Sequence, residues 1–262
     1  MGISRYGGRR GKVMMDGSES DSRRNDDMPE YTLRVSARAR RMQLKVTSWG
    51  KVEVVVPHRM AISRVAPFVR EHRQWLQRTL ARVRALHQEQ PALASLTPER
   101  IHLAALGEEW RLDYTQGARP RVRAIVAGDG RRMLRIETVA DVPPHLSLQI
   151  WLHNHARRHL LPWLQTVSEE CRLPFARATV RAQKTRWGSC SARGHISLNR
   201  HLLFLSPRSV RYLFIHELCH TVHLNHSRRY WSLVGCHAPD YGAREAELRR
   251  AAHHVPLWAC AQ

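Results

Sequence analysis

Two histidines four residues apart, with a glutamate directly after the first, stand at His216-Glu217-Leu218-Cys219-His220, and His223 and His226 follow closely. A helix places residues i and i+4 on one face, one turn apart, so His216 and His220 can share an ion; this spacing is the signature of zinc-dependent hydrolases. At 100° per residue, Glu217 sits beside the two ligands rather than behind them, where its carboxylate reaches water on the ion instead of the ion itself. Zinc acidifies such water towards a pKa of about 7, and the carboxylate takes its proton as it attacks a carbonyl or phosphoryl centre. Phe214, Leu218 and Val222 fall on the opposite side of the same wheel and supply a packing face.

A catalytic Zn2+ takes three protein ligands. His223 stays on the face of His216, but on a continuous helix it lies roughly 10 Å further along, beyond the reach of nitrogen–zinc bonds of about 2.0–2.1 Å. His226 qualifies if the helix stops near Leu224, and Asn225 suits that stop because Asn tolerates the left-handed conformation of a helix C′ position. The expected ligands are therefore His216, His220 and His226, with Glu217 as the base. The spacing H-E-x-x-H-x5-H equals that of the metzincins, except that His223 occupies the position at which those enzymes carry glycine. Cys219 points about 100° away from the ligand next to it and is not expected on the ion.

Around this run the elements must be arranged to hold it. Ser206 and Pro207 read as the N-cap and first turn of the motif helix, and Ser227 as the cap of another that follows; a last helix is expected from Tyr241 to His253. Upstream, Ala178–Ala182 and His195–Asn199 read as strands on either side of Arg186-Trp187-Gly188-Ser189-Cys190. There Gly188 allows a sharp turn that exposes Arg186 and Ser189 as donors to a substrate, while Trp187 anchors the loop. Arg186 suits bidentate binding of a carboxylate or phosphate. The Tyr230 hydroxyl is a candidate oxyanion donor, with packing as its competing role.

Further towards the N-terminus the pattern changes. Residues 143–172 are helical, opened by Pro143-Pro144 and striped with Leu146, Ile150, Trp151, Leu160, Leu161, Leu164 and Val167. Residues 101–106 with 110–114, and 122–126 with 133–137, read as two hairpins around Gly107 and around Gly128-Asp129-Gly130. Residues 62–87 form a helix, and 31–36, 42–46 and 52–56 a small antiparallel sheet turned at Trp49-Gly50. Residues 1–30, rich in Gly, Arg, Ser and Asp, are expected to stay disordered. The fold class is thus α+β: mostly antiparallel strands with helices in the first half (31–140), and a helical region carrying HExxH in the second (141–254), within one domain spanning 31–262.

Composition bounds the partners. The 262 residues carry 43 Lys and Arg against 22 Asp and Glu, a formal charge of +21. That field favours polyanions, so nucleic acid is a possible partner of the basic surface, although a solvated arginine-rich face explains the charge equally well. No run approaches the roughly 18 apolar residues of a membrane span, and the N-terminal residues lack a secretory apolar core; a cytoplasmic location without membrane contact is expected. The five cysteines show neither a C-x-x-C pair nor a disulfide spacing, so reduced thiols are expected. Oligomeric state is not legible.

His216–His220 with Asn225-His226-Ser227 and Trp231, together with Arg186–Cys190, Leu198-Asn199, Arg38-Ala-Arg40-Arg41, Val52–Pro57 and Trp75, resembles the YgjP-like metal-dependent hydrolases, relatives of the SprT-type zinc proteins. The likeness spans most of residues 31–254. It implies a compact α+β fold with a zincin-like catalytic region, three histidine ligands and a glutamate base. Tyr230 departs from the pattern, which usually has Phe there. The resemblance leaves two substrates open, because members are commonly labelled metallopeptidases while a nucleoside-triphosphate pyrophosphatase activity has also been attributed within the family. Three readings follow: a zinc metallohydrolase of the metallopeptidase type acting on peptides, a nucleoside triphosphate pyrophosphohydrolase with the same metal site acting on nucleotides, and a nucleic-acid-associated zinc protein.

Overall fold

The computed structural model describes residues 29–261, apart from 48, 90, 184 and 185. The tail expected over residues 1–30 falls outside the described residues except for its last two. The chain opens with β1 (Tyr31–Ser36), β2 (Gln43–Val46) and β3 (Val52–Pro57), in the order β1-β3-β2. β2 and β3 form the expected antiparallel hairpin, but β1 runs parallel to β3, so this sheet is mixed rather than antiparallel. The reason lies in β3: it is the most apolar of the three strands, with four valines at 3% exposure or less, and it takes the central place between the other two.

The helix expected over 62–87 is broken. A short 3-10 turn (Ile62–Arg64) leads into α1 (Val65–Glu71), and α2 (Arg73–Glu89) starts anew after His72. The His72 ring donates from Nδ1 to the Phe68 carbonyl at 2.9 Å at the end of α1. Val65, Val69 and Leu76 pack on Val52, Val54 and Val56 to form a first hydrophobic core. A single turn, α3 (Pro91–Ala94), follows.

β4 (Arg100–Leu103), β5 (Glu108–Gln116), β6 (Arg121–Val126) and β7 (Arg132–Thr138) build a second sheet in the order β4-β5-β7-β6. Both expected hairpins are present and antiparallel, with Gly107 and Gly130 at the positive φ angles of +62° and +82° that their turns require. The two hairpins join through β5 and β7 in parallel.

Against this sheet lies α4 (Pro144–Cys171), the longest helix at 28 residues. Its buried stripe is Leu148, Leu152, Ala156, Leu160, Leu164 and Val167; Leu146 and Ile150, expected in the stripe, are 40% and 65% exposed. The stripe follows the i, i+4 and i, i+3 rows that meet the sheet, and those two residues lie off them. β8 (Arg177–Arg181), β9 (Gly188–Cys190) and β10 (His195–Asn199) make a third sheet, β8-β10-β9, in which β8 is parallel and β9 antiparallel to β10.

The chain ends in α5 (Pro207–Cys219), α6 (Arg228–His237), α7 (Tyr241–Arg250) and the single turn α8 (Leu257–Cys260). Trp163 of α4 meets Phe214 of α5 edge to face at 5.3 Å, so the large core runs from the second sheet through α4 into α5. Helices therefore stand beside mixed sheets, as an α+β chain requires. No helix among the described residues is long and apolar enough to cross a membrane.

Candidate metal centre

Ser206 caps α5 by accepting from the Ser209 amide, and Pro207 occupies its first turn, as the sequence implies. Phe214 and Leu218 are fully buried on the packing side. The helix stops much earlier than Leu224: it ends at Cys219, with His220 as the C-cap. The chain then turns back on itself, Thr221 and His223 donating their amides to Leu218 O at 2.9 Å and Cys219 O at 3.0 Å. Among the described residues only Arg172 and glycines have positive φ, so Asn225 is not the left-handed stop. Val222, expected on the packing face, lies beyond the helix and is 54% exposed.

That early reversal brings His226 to the helix. Ser227 caps α6 by accepting from the Tyr230 amide, which holds His226 at the mouth of the turn. One ring nitrogen from each of His216, His220 and His226 lies within 4.8 Å of the others, and Nε2 of His226 is 3.3 Å from Nε2 of His216. A tetrahedron built on nitrogen–zinc bonds of about 2.0–2.1 Å has an edge of about 3.3 Å, so the donor set fits such an ion. His223 takes no part through its ring; its carbonyl accepts from Nδ1 of His220 at 3.0 Å, which leaves Nε2 of His220 free to ligate.

His216 is oriented in the same way. The Tyr212 hydroxyl donates to Glu245 Oε2 at 2.7 Å, so its oxygen is left to accept from Nδ1 of His216 at 3.4 Å. This carboxylate–tyrosine–imidazole chain escapes sequence reading because Glu245 comes from α7, with only the i, i+4 spacing of Tyr212 and His216 as a hint.

Glu217 is 4% exposed, and its Oε2 has no protein partner among the described residues. Burial pushes its carboxyl up to about 8, against the opposing charge of Arg186. Gly188 faces it so closely that a Cβ there would stand 2.6 Å from Glu217 Oε1 and 2.9 Å from its Cγ. Gly188 is thus not a turn residue, as expected, but the first residue of β9, paired with Leu198, and its glycine is required by the carboxyl beside it. Gly188→Ala is expected to displace Glu217, costing about 1–3 kcal/mol of stability and at least about tenfold in kcat, about 1.4 kcal/mol in the barrier. Wild-type turnover in this variant would refute the contact.

Because strand residues alternate between faces, Ser189 points away from Glu217. It pairs with Ser197, whose hydroxyl bonds Thr179 on that far face at 3.1 Å, so Ser189 is not directed at the histidines. Cys190 returns to the Glu217 side, where burial and then the Glu217 charge raise its thiol to about 11. Arg186 is exposed and its charge is felt at Glu217, whereas Trp187 anchors the loop by donating from Nε1 to Leu248 O at 3.0 Å. Tyr230 is fully buried; its hydroxyl donates to His216 O at 3.1 Å and its ring stacks on His220 at 4.5 Å. That hydroxyl is committed to the backbone, so its role is packing, not oxyanion binding.

In the ion-free protein, burial and then the His220 and His226 charges also drive the His216 imidazole down to about 3. A carboxyl raised on folding keeps its proton when the unfolded chain has lost it, so Glu217 makes stability fall as pH rises from 4.5 to about 8. His216, lowered on folding, acts oppositely, but its effect is complete above its unfolded value of 6.5. Between pH 6.5 and 8 wild type is therefore expected to lose about 1–2 kcal/mol relative to Glu217→Gln. Chelator-treated denaturation curves at both pH values measure it; equal pH slopes for the two proteins would contradict it.

Three convergent imidazoles with a buried carboxyl beside them are the constellation of metal-dependent hydrolases as a class. The chain belongs to the YgjP-like family: the family's description, YgjP-like metallopeptidase domain, matches residues 40–251. Comparison with curated proteins finds no match. Among solved structures, the crystal structure of the metallopeptidase zymogen of Pyrococcus abyssi abylysin is 25% identical, covering 35% of this chain and 91% of that one; its TM-score of 0.31 is too low to bear on the fold.

Proposed function

We propose that the chain is a zinc-dependent hydrolase of the metallopeptidase type, with His216, His220 and His226 as the ligands and Glu217 as the general base. The convergence of three imidazoles beside a buried carboxyl, whose Oε2 has no partner among the described residues, carries this reading. Zinc at such a site supplies Lewis acidity to water and to a substrate carbonyl. Glu217 takes the proton of the attacking water and hands it to the leaving amine, a task for which its raised proton affinity is suited. The Nδ1 hydrogen bonds of His216 and His220 hold those rings with Nε2 inward.

A peptide is favoured as substrate by β9, the edge strand beside Glu217, which bonds β10 on one side and can accept an extended chain on the other. Arg186, exposed just before it, suits a substrate carboxylate. A nucleoside triphosphate pyrophosphohydrolase is the second reading, favoured by the same guanidinium close to Glu217 and by the charge of +21. Five unpaired cysteines favour a reducing compartment, the cytoplasm.

The zinc-loaded protein should be assayed on peptide and nucleoside triphosphate panels beside Glu217→Gln. Peptide cleavage lost in the variant supports the first reading, and pyrophosphate release lost in the variant the second. Substoichiometric zinc after metal-replete purification would remove both.

A further inference from the structure

A cavity of about 690 Å3 lies away from the three histidines, between β5, β6, β7 and α4, walled by Trp110, Trp151 and Val122 and edged by Arg121, Arg132 and Arg158. On its wall stand Glu108, His155 and His159. His155 and His159 sit one turn apart on α4, and Glu108 enters from β5 directly after the left-handed turn at Gly107. Glu108 and His155 are each 8% exposed and His159 is half-buried.

Apolar walls make such a cluster costly unless its polar atoms are paired. Glu108 Oε2 accepts from Trp110 Nε1 at 2.9 Å and from His155 Nε2 at 2.8 Å, while the nearest cation to Oε1, Arg132, stands off at 3.9 Å. The His155 and His159 rings are 4.4 Å apart. One donor atom from each of the three residues lies within 4.8 Å of the others, the same criterion that His216, His220 and His226 meet. An i, i+4 imidazole pair on a helix with a third donor from another element recurs here with two nitrogens and one oxygen, a set that suits zinc or ferrous iron. Trp110 fixes the carboxylate from outside the cluster, as an indole can do for a ligating oxygen.

We propose that Glu108, His155 and His159 form a second divalent-metal site, separate from His216, His220 and His226, with its open coordination position turned to the cavity. On binding, the neutral His155 ring moves its proton from Nε2 to Nδ1, and the ion takes His155 Nε2 and Glu108 Oε2 in place of the hydrogen bond between them.

The test is the zinc content of full-length protein stripped with chelator, refilled with zinc alone and desalted. His159→Gln alters a half-buried residue, and Glu108→Gln keeps the size of the buried one, so a folding failure of either leaves the other, with circular dichroism as the check. Each is expected to hold one zinc fewer than wild type, whereas His220→Ala loses the other zinc and keeps this one. The Co2+-loaded His220→Ala protein should show a visible d–d band that vanishes on adding His159→Gln. Wild-type zinc content in the folded variants would overturn the proposal and leave Glu108–His155 as a buried hydrogen-bonded pair. Loss of zinc in His159→Gln but not in His220→Ala would instead count against the three-histidine centre.

Discussion

Glu217→Gln is expected to lower kcat by about 10²–10⁴ while leaving metal content unchanged. Gln has the size of Glu, so it fits the space that Gly188 leaves, and the fold around it is kept. What it lacks is the ability to take a proton. The effect belongs in kcat because proton transfer is made only in the transition state, and KM should move little. A variant within tenfold of wild type, with metal retained, would show that Glu217 is not the base.

Removal of His220 tests the ion itself. His220→Ala deletes a half-buried ring from the end of α5, where it stacks on Tyr230, and leaves two imidazoles. Losing groups that only orient a ligand typically costs 10–100-fold in metal affinity, so losing a ligand is expected to cost more than about 100-fold. A ligand bound only by the folded state stabilises it by about 2.7 kcal/mol at a concentration 100 times Kd. At the zinc level that gives wild type this increment, the variant should gain almost none from this centre, while the chelator-treated proteins differ far less. Isothermal titration and melting curves with and without zinc report both quantities. Undiminished zinc stabilisation in the variant would exclude His220 as a ligand.

Much of this site is readable from spacing. His216, Glu217 and His220 lie within a single turn and a half of helix, so helical geometry alone assigns their faces. Ser206 with Pro207 and Ser227 announce helix starts through bonds made within three residues. Rise per residue selects His226 over His223 only on a helix that continues through His223; α5 ends at Cys219, so the turn beginning at His220, and not helix rise, delivers His226.

The misread residues are those whose role depends on a segment distant in the chain. Ser189 looked exposed in a loop, but antiparallel pairing to β10 sets which face it takes. Gly188 resembled a turn glycine because its true neighbour, Glu217, comes from another element. β1 pairs with β3 rather than with the strand after it, since the central place goes to the most apolar strand of the three. Local bonding made the histidine motif and its caps legible in the sequence by itself. Strand register, the Tyr212–Glu245 support and the Glu108–His155–His159 cluster rest on contacts between remote segments, which only tertiary packing decides.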